Sequence, residues 1–179
     1  MKGIIITGLA RSGKDTVANM LKKKDYTVFV FSDCLFDEVK KRNLELNKMN
    51  MSRVGDELRT ERGMDVVAQL VFEKAKNANA EKAVFVGARS LEEIEFLKKN
   101  LEKGMLVRVV AESDKRFDRK NSQDAQGRDE FFARDERDVK NKGLGKVIDS
   151  ADEEIENNSG FDALKKDVEK LVEVFEFIN

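Results

Sequence analysis

Short apolar runs alternate with longer stretches whose apolar positions recur every three or four residues, from the first residues to the last. Lys2–Thr7 is a β-branched run closed by Gly8 and predicts a buried strand. Beyond a glycine-rich loop, Val17, Ala18, Met20 and Leu21 keep helical spacing to about Lys24, and Tyr26–Phe31 predicts a second strand. Asp33 to about Asn50 predicts one ragged helix marked by Leu35, Phe36, Val39, Leu44 and Leu46. Ser52 is placed to cap the next helix, which breaks near Gly63 and resumes over Met64–Asn77. Ala83–Val86 is a third strand, and Ser90 with Glu93 forms a capping box that opens a helix to Leu101. Met105–Ala111 is a fourth strand, with Ser113 capping a short helix after it. Residues 120–128 are polar and predict a mobile stretch, Asp129–Lys142 a helix halted by Gly143, and Glu154–Glu156 a weak fifth strand. Gly160–Phe177 closes the chain as an amphipathic helix with Leu164, Val168, Leu171, Val172 and Phe175 on its buried stripe.

Strands that alternate with helices imply an α/β fold: five parallel strands with helices on both faces. In such sheets ligands sit beyond the carboxyl ends of the strands, so the residues that follow each strand are the candidates for chemistry. The first of these is Gly8-Leu9-Ala10-Arg11-Ser12-Gly13-Lys14-Asp15-Thr16, which follows a strand and opens a helix. That is the setting of a Walker A phosphate loop. Its glycines allow backbone N–H groups to turn onto a phosphate, the helix N-terminus adds positive potential, and Lys14 supplies a point charge for the β- and γ-phosphates. The hydroxyl residue that usually follows the lysine is replaced by Asp15, a hard oxygen donor suited to magnesium directly or through water. Thr16 is placed for the α-phosphate. A glycine turn with Asp15 merely capping the helix is the structural alternative.

Composition narrows the chemistry. The 179 residues suit one compact domain. Charged residues form 39%, yet 34 basic and 35 acidic side chains leave a formal net charge of −1, which argues against nucleic acid or an acidic membrane as partner. The absence of histidine excludes imidazole acid–base catalysis, and the lone Cys34 excludes an internal disulfide and a thiolate zinc cluster. Phosphoryl transfer, which rests on positioning and electrostatics, survives both absences. Neither a signal peptide nor a bilayer-spanning run is present, so the expected location is the cytoplasm, as a monomer or homodimer.

The segment Gly8–Ala18, with its Gly-Lys-Asp-Thr core, resembles the phosphate loops of deoxynucleoside monophosphate kinases and phosphomevalonate kinases. The rest more closely resembles the dephospho-coenzyme A kinase-related and adenylate kinase-related proteins of the P-loop nucleoside monophosphate kinase superfamily. The matching stretches are Gly63–Ala68, Gly87–Glu93, Phe132–Asp138, Gly143–Gly145, Ala151-Asp152 and Ile155–Asn158, in the family's order over nearly the whole chain. The resemblance implies a three-layer P-loop kinase fold that uses ATP and Mg2+, with an acceptor-binding helical region over about 33–78 and a small lid over about 116–137.

It also implies roles. Gly8, Ala10, Arg11, Ser12, Gly13, Lys14, Asp15 and Thr16 would hold the triphosphate and metal, with Lys14 also catalytic. Asp33 resembles the family's acceptor-side aspartate, which handles the attacking hydroxyl; as a plain residue it equally suits an N-cap. Arg89, just past the third strand, resembles an arginine that grips the acceptor's phosphate. Arg59 and Arg62 share a helix face and fit either that task or solvated ion pairs. Arg116, Arg119, Arg134 and Arg137 would be lid arginines that neutralise charge on the transferred group, or else an ion-paired surface with Asp118, Asp135, Glu136 and Asp138. Asn157 begins the stretch where relatives embrace adenine with backbone groups. Two departures stand out: Asp37 and Glu38 lie where an arginine is usual, and Val86 where an aspartate commonly serves magnesium. The expectation is therefore a kinase acting on a nucleotide or nucleotide-like acceptor, such as a nucleoside monophosphate or dephospho-coenzyme A. A nucleotide-binding regulatory protein and an accessory ATPase are the alternatives.

Overall fold

The computed structural model describes residues 1–122, 124, 127–141 and 143–177, with Asn141 described in its backbone alone. Strand β1 (Lys2–Thr7) carries Ile4, Ile5 and Ile6 with no exposed surface. It feeds α1 (Lys14–Lys22), then β2 (Thr27–Val30) and, with no intervening loop, α2 (Phe31–Lys41). Then come α3 (Lys48–Arg62), α4 (Val66–Asn77), β3 (Lys82–Val86), α5 (Leu91–Asn100), β4 (Lys103–Val110), α6 (Ser113–Asp118), α7 (Arg128–Asn141), α8 (Leu144–Asp149), β5 (Glu153–Glu156) and α9 (Phe161–Phe177).

All four strand pairings are parallel, in the order β2-β3-β1-β4-β5, so β1 sits at the centre between β3 and β4. Period-two alternation sends neighbouring side chains to opposite faces, and both faces are covered. Ile5, Phe85 and Leu106 enter one apolar core with residues of α2, α3, α4, α5 and α8, whereas Ile4, Ile6, Val84, Val86 and Val107 enter a second with α1 and α9. The expected sheet with helices on both faces is the observed one.

Several local expectations shift for identifiable reasons. The single helix expected over Asp33–Asn50 is two, because the chain leaves α2 at Arg42 and restarts under a different cap. That cap is Asn47, whose side chain accepts from the Asn50 N–H at 2.8 Å, so α3 begins before Ser52. Ser113 is the first residue of α6 rather than its cap, which is Glu112. The short helix α8 is an addition to the expected elements, with Gly143 in a left-handed conformation (φ 75°) as its N-cap. The Ser90–Glu93 cap is present at 3.2 Å, but the Glu93 carboxylate reaches back to the N–H of Arg89, one residue beyond the standard box. Gln123, Ala125 and Gln126, in the stretch expected to be mobile, lie outside the described residues.

Candidate functional site

The strand order reverses direction between β1 and β3: the chain leaving β1 crosses towards β2, and the chain leaving β3 crosses towards β4. The loops after these two strands therefore diverge to opposite faces and leave a crevice at their carboxyl ends, where ligands bind in open parallel sheets. Gly8–Gly13 and Gly87–Ser90 are those two loops. Between them lies a cavity of about 90 Å3 lined by Gly8, Ala10, Lys14, Gly87, Ala88, Arg89, Arg134, Asp138 and Leu144. Thr7 Oγ1 donates to the Ala88 carbonyl at 3.3 Å and Gly87 N–H to the Ile6 carbonyl at 3.0 Å, so the two loops are tied together at their base. A wider, open depression of about 580 Å3 on α3 contains no phosphate-loop residue.

The loop's glycines are dictated by space. A Cβ on Gly8 would lie 2.4 Å from the Val109 carbonyl oxygen, and one on Gly13 would lie 2.1 Å from Asn157 Nδ2; both residues also hold positive φ, at 145° and 108°. Lys14 opens α1 and donates to the carbonyls of Gly8 and Leu9 at 2.8 and 2.7 Å, so its ammonium lies over the loop's own turn. Burial lowers the Lys14 pKa to about 8; Asp15 works against the shift, while Arg89, Arg134 and Arg116 add to it. These guanidiniums come from the β3–α5 turn, from α7 and from α6. Lys14, Arg89 and Arg134, from separate elements, thus converge on one small cavity, with Arg116 buried behind the loop at Ala10. Ser12 Oγ, 1% exposed, has no hydrogen-bond partner among the described residues.

Carboxylates hold the arginines in place. Arg11 donates to Asp124 Oδ2 at 2.6 Å, and Arg134 Nη1 reaches Asp124 Oδ1 at 3.4 Å, so one buried carboxylate links the phosphate loop to α7. Burial alone would raise the Asp124 carboxyl, but the Asn121 N–H, Arg11 and Arg134 overcome it and hold it below the usual carboxylate range. Arg116 donates to the Ala10 carbonyl at 3.1 Å and pairs with Asp135 at 2.6 Å. Arg89 lies 3.6 Å from Asp138, which also stands 3.9 Å from Arg134.

The remaining sequence candidates are spread more widely. Asp15 is exposed in the first turn of α1 and makes no side-chain cap, and Thr16, one residue on, is half-buried. Asp33 is exposed in the first turn of α2, whose N-cap is Val30, and is not among the residues lining the cavity. Arg59 is taken by Glu93, a carboxylate with no exposed surface, at 3.0 Å; Arg62 is exposed at the end of α3. Arg119 is exposed and donates to the Asn157 carbonyl at 2.8 Å, and Arg137 is exposed on α7, outside the cavity lining. The Asn157 side chain, 8% exposed, donates to the Ser12 carbonyl at 2.8 Å. Cys34 is buried and burial raises its pKa, which makes it an inert thiol.

Asp124 and Asp138 escaped the sequence reading as site residues. Asp138 carries a usable signal, since it stands four residues after Arg134 on one helix face. Asp124 carries none, because it lies in a loop without periodicity. The packing of α6 on α7 was equally hidden: Phe117, Phe131 and Phe132 cluster with centroids 5.3 to 6.2 Å apart, Phe131 edge-on to the other two. Among the described residues, no group of three or more acidic, histidine or cysteine side chains is arranged to hold a metal, and no helix is long and apolar enough to cross a membrane.

Comparison with known proteins places this geometry in a family. Residues 7–140 match the family model described as AAA domain, AAA_17. The chain is 32% identical over 177 residues to a UPF0200 protein of Methanosarcina acetivorans, covering 96% of this chain and 94% of that one. It is 33% identical over 178 residues to a UPF0200 protein of Thermococcus onnurineus, covering 95% and 96%. Among solved structures, TT1252 from Thermus thermophilus superposes with a TM-score of 0.70 at 22% identity, covering 99% of this chain and 98% of that one. Shikimate kinase from Bacteroides thetaiotaomicron superposes with a TM-score of 0.62 at 15% identity, covering 98% and 99%. The fold is thus that of the P-loop kinases. By the family model and these relatives, the chain belongs to the AAA domain family and to the UPF0200 proteins.

Proposed function

We propose that this chain is an ATP-dependent kinase that transfers a γ-phosphoryl group to a nucleotide or nucleotide-like acceptor, such as a nucleoside monophosphate or dephospho-coenzyme A. The observation that carries the proposal is the placement of the Lys14 ammonium, bonded over the Gly8–Leu9 turn and lining one cavity with Arg89 and Arg134. Burial and, after it, the nearby Arg89, Arg134 and Arg116 disfavour the charged ammonium, a cost that a bound polyphosphate offsets. Lys14, the loop amides and Ser12 would hold the donor. Arg134 lines the cavity and Arg116 donates to the Ala10 carbonyl of the loop; both would neutralise charge on the group in transfer. Arg89 borders the cavity from the β3 side and would address the acceptor, with Asp33 supplying an exposed carboxylate for its hydroxyl. Arg59 would act indirectly, since its guanidinium is already held by Glu93.

Magnesium fits the donor set to a limited extent. Asp15 is one exposed hard-oxygen donor next to Lys14, and Mg2+ commonly takes one or two carboxylates and fills its shell with water and phosphate oxygens. When bound, the ion would neutralise part of the triphosphate's charge. Val86, 2% exposed in the core, offers no second carboxylate. That observation favours a second reading, a nucleotide-binding regulatory protein or accessory ATPase with little transfer activity.

The test is a coupled assay of ADP release with MgATP and a panel of nucleoside monophosphates and dephospho-coenzyme A, with mass detection of phosphorylated product. The kinase reading expects acceptor-dependent product that disappears in Lys14→Ala. Binding without turnover would support the regulatory reading, and steady ADP release that no acceptor changes would support the ATPase reading.

A further inference from the structure

The Asn157 side chain belongs to the turn after β5, far from the phosphate loop in sequence, yet it is buried and spends its amide on that loop. Nδ2 donates to the Ser12 carbonyl oxygen at 2.8 Å. The Asn157 N–H is itself bonded to the Val110 carbonyl at 2.8 Å, so the amide hangs from the end of the sheet rather than from a free loop. Its fit is close enough that a Cβ at position 13 would fall 2.1 Å from Nδ2 and displace the amide from its place.

Ser12 C=O and Gly13 N–H belong to one planar, trans peptide unit, in which the carbonyl and the amide hydrogen point in opposite directions. Pinning the carbonyl towards the β5–α9 turn aims the Gly13 N–H away from it. A cradle of converging N–H groups depends on such orientations being set before the anion arrives. The buried Ser12 Oγ, without a partner among the described residues, sits in the same segment and marks its inner side as one that calls for an acceptor or an anion. The carbonyl of Asn157 in turn accepts from Arg119 Nη2 at 2.8 Å, which ties the end of α6 to the same point.

We infer that Asn157 is a positioning residue for polyphosphate, acting through the Ser12–Gly13 peptide rather than by touching the nucleotide base. This rests on the phosphate-cradle reading of Gly8–Lys14 and deepens it. Asn157→Ala removes the donor. Asn157→Asp is nearly isosteric but sets a carboxylate oxygen against the Ser12 carbonyl, which repels the peptide the amide had held.

The experiment is isothermal titration of inorganic tripolyphosphate and, separately, of MgATP into the wild-type chain, Asn157→Ala, Asn157→Asp and Lys14→Ala, with melting curves confirming that each is folded at the working temperature. The expected result is tripolyphosphate affinity falling in the order wild type, Asn157→Ala, Asn157→Asp, the last by roughly tenfold or more, with ATP affinity falling in parallel. A merely structural role would lower the melting temperature and leave tripolyphosphate affinity at the wild-type value, which overturns the inference. Weakened ATP with unchanged tripolyphosphate also overturns it, by pointing to contact with the base. In both of those cases loss of binding in Lys14→Ala would leave the cradle reading standing. Failure of the wild type to bind either ligand would remove the cradle reading and this inference together.

Discussion

Lys14 shows how one side chain can carry both a cost and a function. Its pKa of about 8 in the folded chain lies below the ordinary lysine value of 10.5, so the unfolded state binds more protons between these values. Holding Lys14 charged therefore works against folding below pH 8, and that cost is relieved as pH rises towards 10.5. The melting temperature of Lys14→Met should exceed that of the wild type near pH 7, and the gap should narrow by pH 10. Binding has the opposite dependence. A triphosphate requires the ammonium, so ATP affinity should fall as pH passes 8, by at most about tenfold per unit for a single proton, with proton uptake measurable by titration in buffers of different ionisation enthalpy. Lys14 was legible because strand, glycines and helix start surround it in sequence. Asn157 was picked out, but for an adenine role implied by resemblance; its bond to Ser12 spans the chain and no spacing rule could show it. Asp124 was invisible for the same reason, as its partners Arg11 and Arg134 lie on different elements.

At the scale of elements, α3 and the turn after β3 are joined by one buried ion pair. Glu93 accepts from the Arg89 N–H at 2.7 Å and from Arg59 at 3.0 Å. Removing one partner of a buried pair strands the other, so Glu93→Ala should cost roughly 3–5 kcal/mol, and Glu93→Gln distinctly less, by chemical denaturation. The α6–α7 pair depends instead on aromatic packing. Phe131, 2% exposed, meets Phe117 and Phe132 edge-on. Phe131→Ala should cost about 3–5 kcal/mol if the unit unfolds with the rest, and should raise amide exchange in α6 and α7 first. Amphipathic spacing predicted most helices because each presents one stripe to a sheet face. It failed between α2 and α3, where Leu44 and Leu46 carry the apolar pattern across a non-helical connection, and at α8, too short to show a period.

For the whole molecule, burial on both sheet faces made the α/β class readable from uninterrupted apolar strands such as Ile4-Ile5-Ile6, and the alternation of elements made it parallel. The strand order was not readable, since apolar runs do not say which neighbours pair, yet it is that order which brings Arg89 of the β3 turn beside Lys14. The net charge of −1 gives no sign of this cluster of cations, whose arginines are balanced on the spot by the buried carboxylates Asp124, Asp135 and Asp138. A ligand that binds only the folded chain should stabilise it as a unit: MgATP at about a hundred times its dissociation constant adds roughly 2.7 kcal/mol, readable as a rise in the urea midpoint with unchanged slope. The account's central claim is that the Gly8–Lys14 turn grips a polyphosphate. Titration of a non-hydrolysable ATP analogue with magnesium into the wild type and Lys14→Ala tests it most directly. The claim predicts one site per chain in the wild type and at least about tenfold weaker binding, or about 1.4 kcal/mol, in the variant. Equal affinity in the two proteins would contradict it.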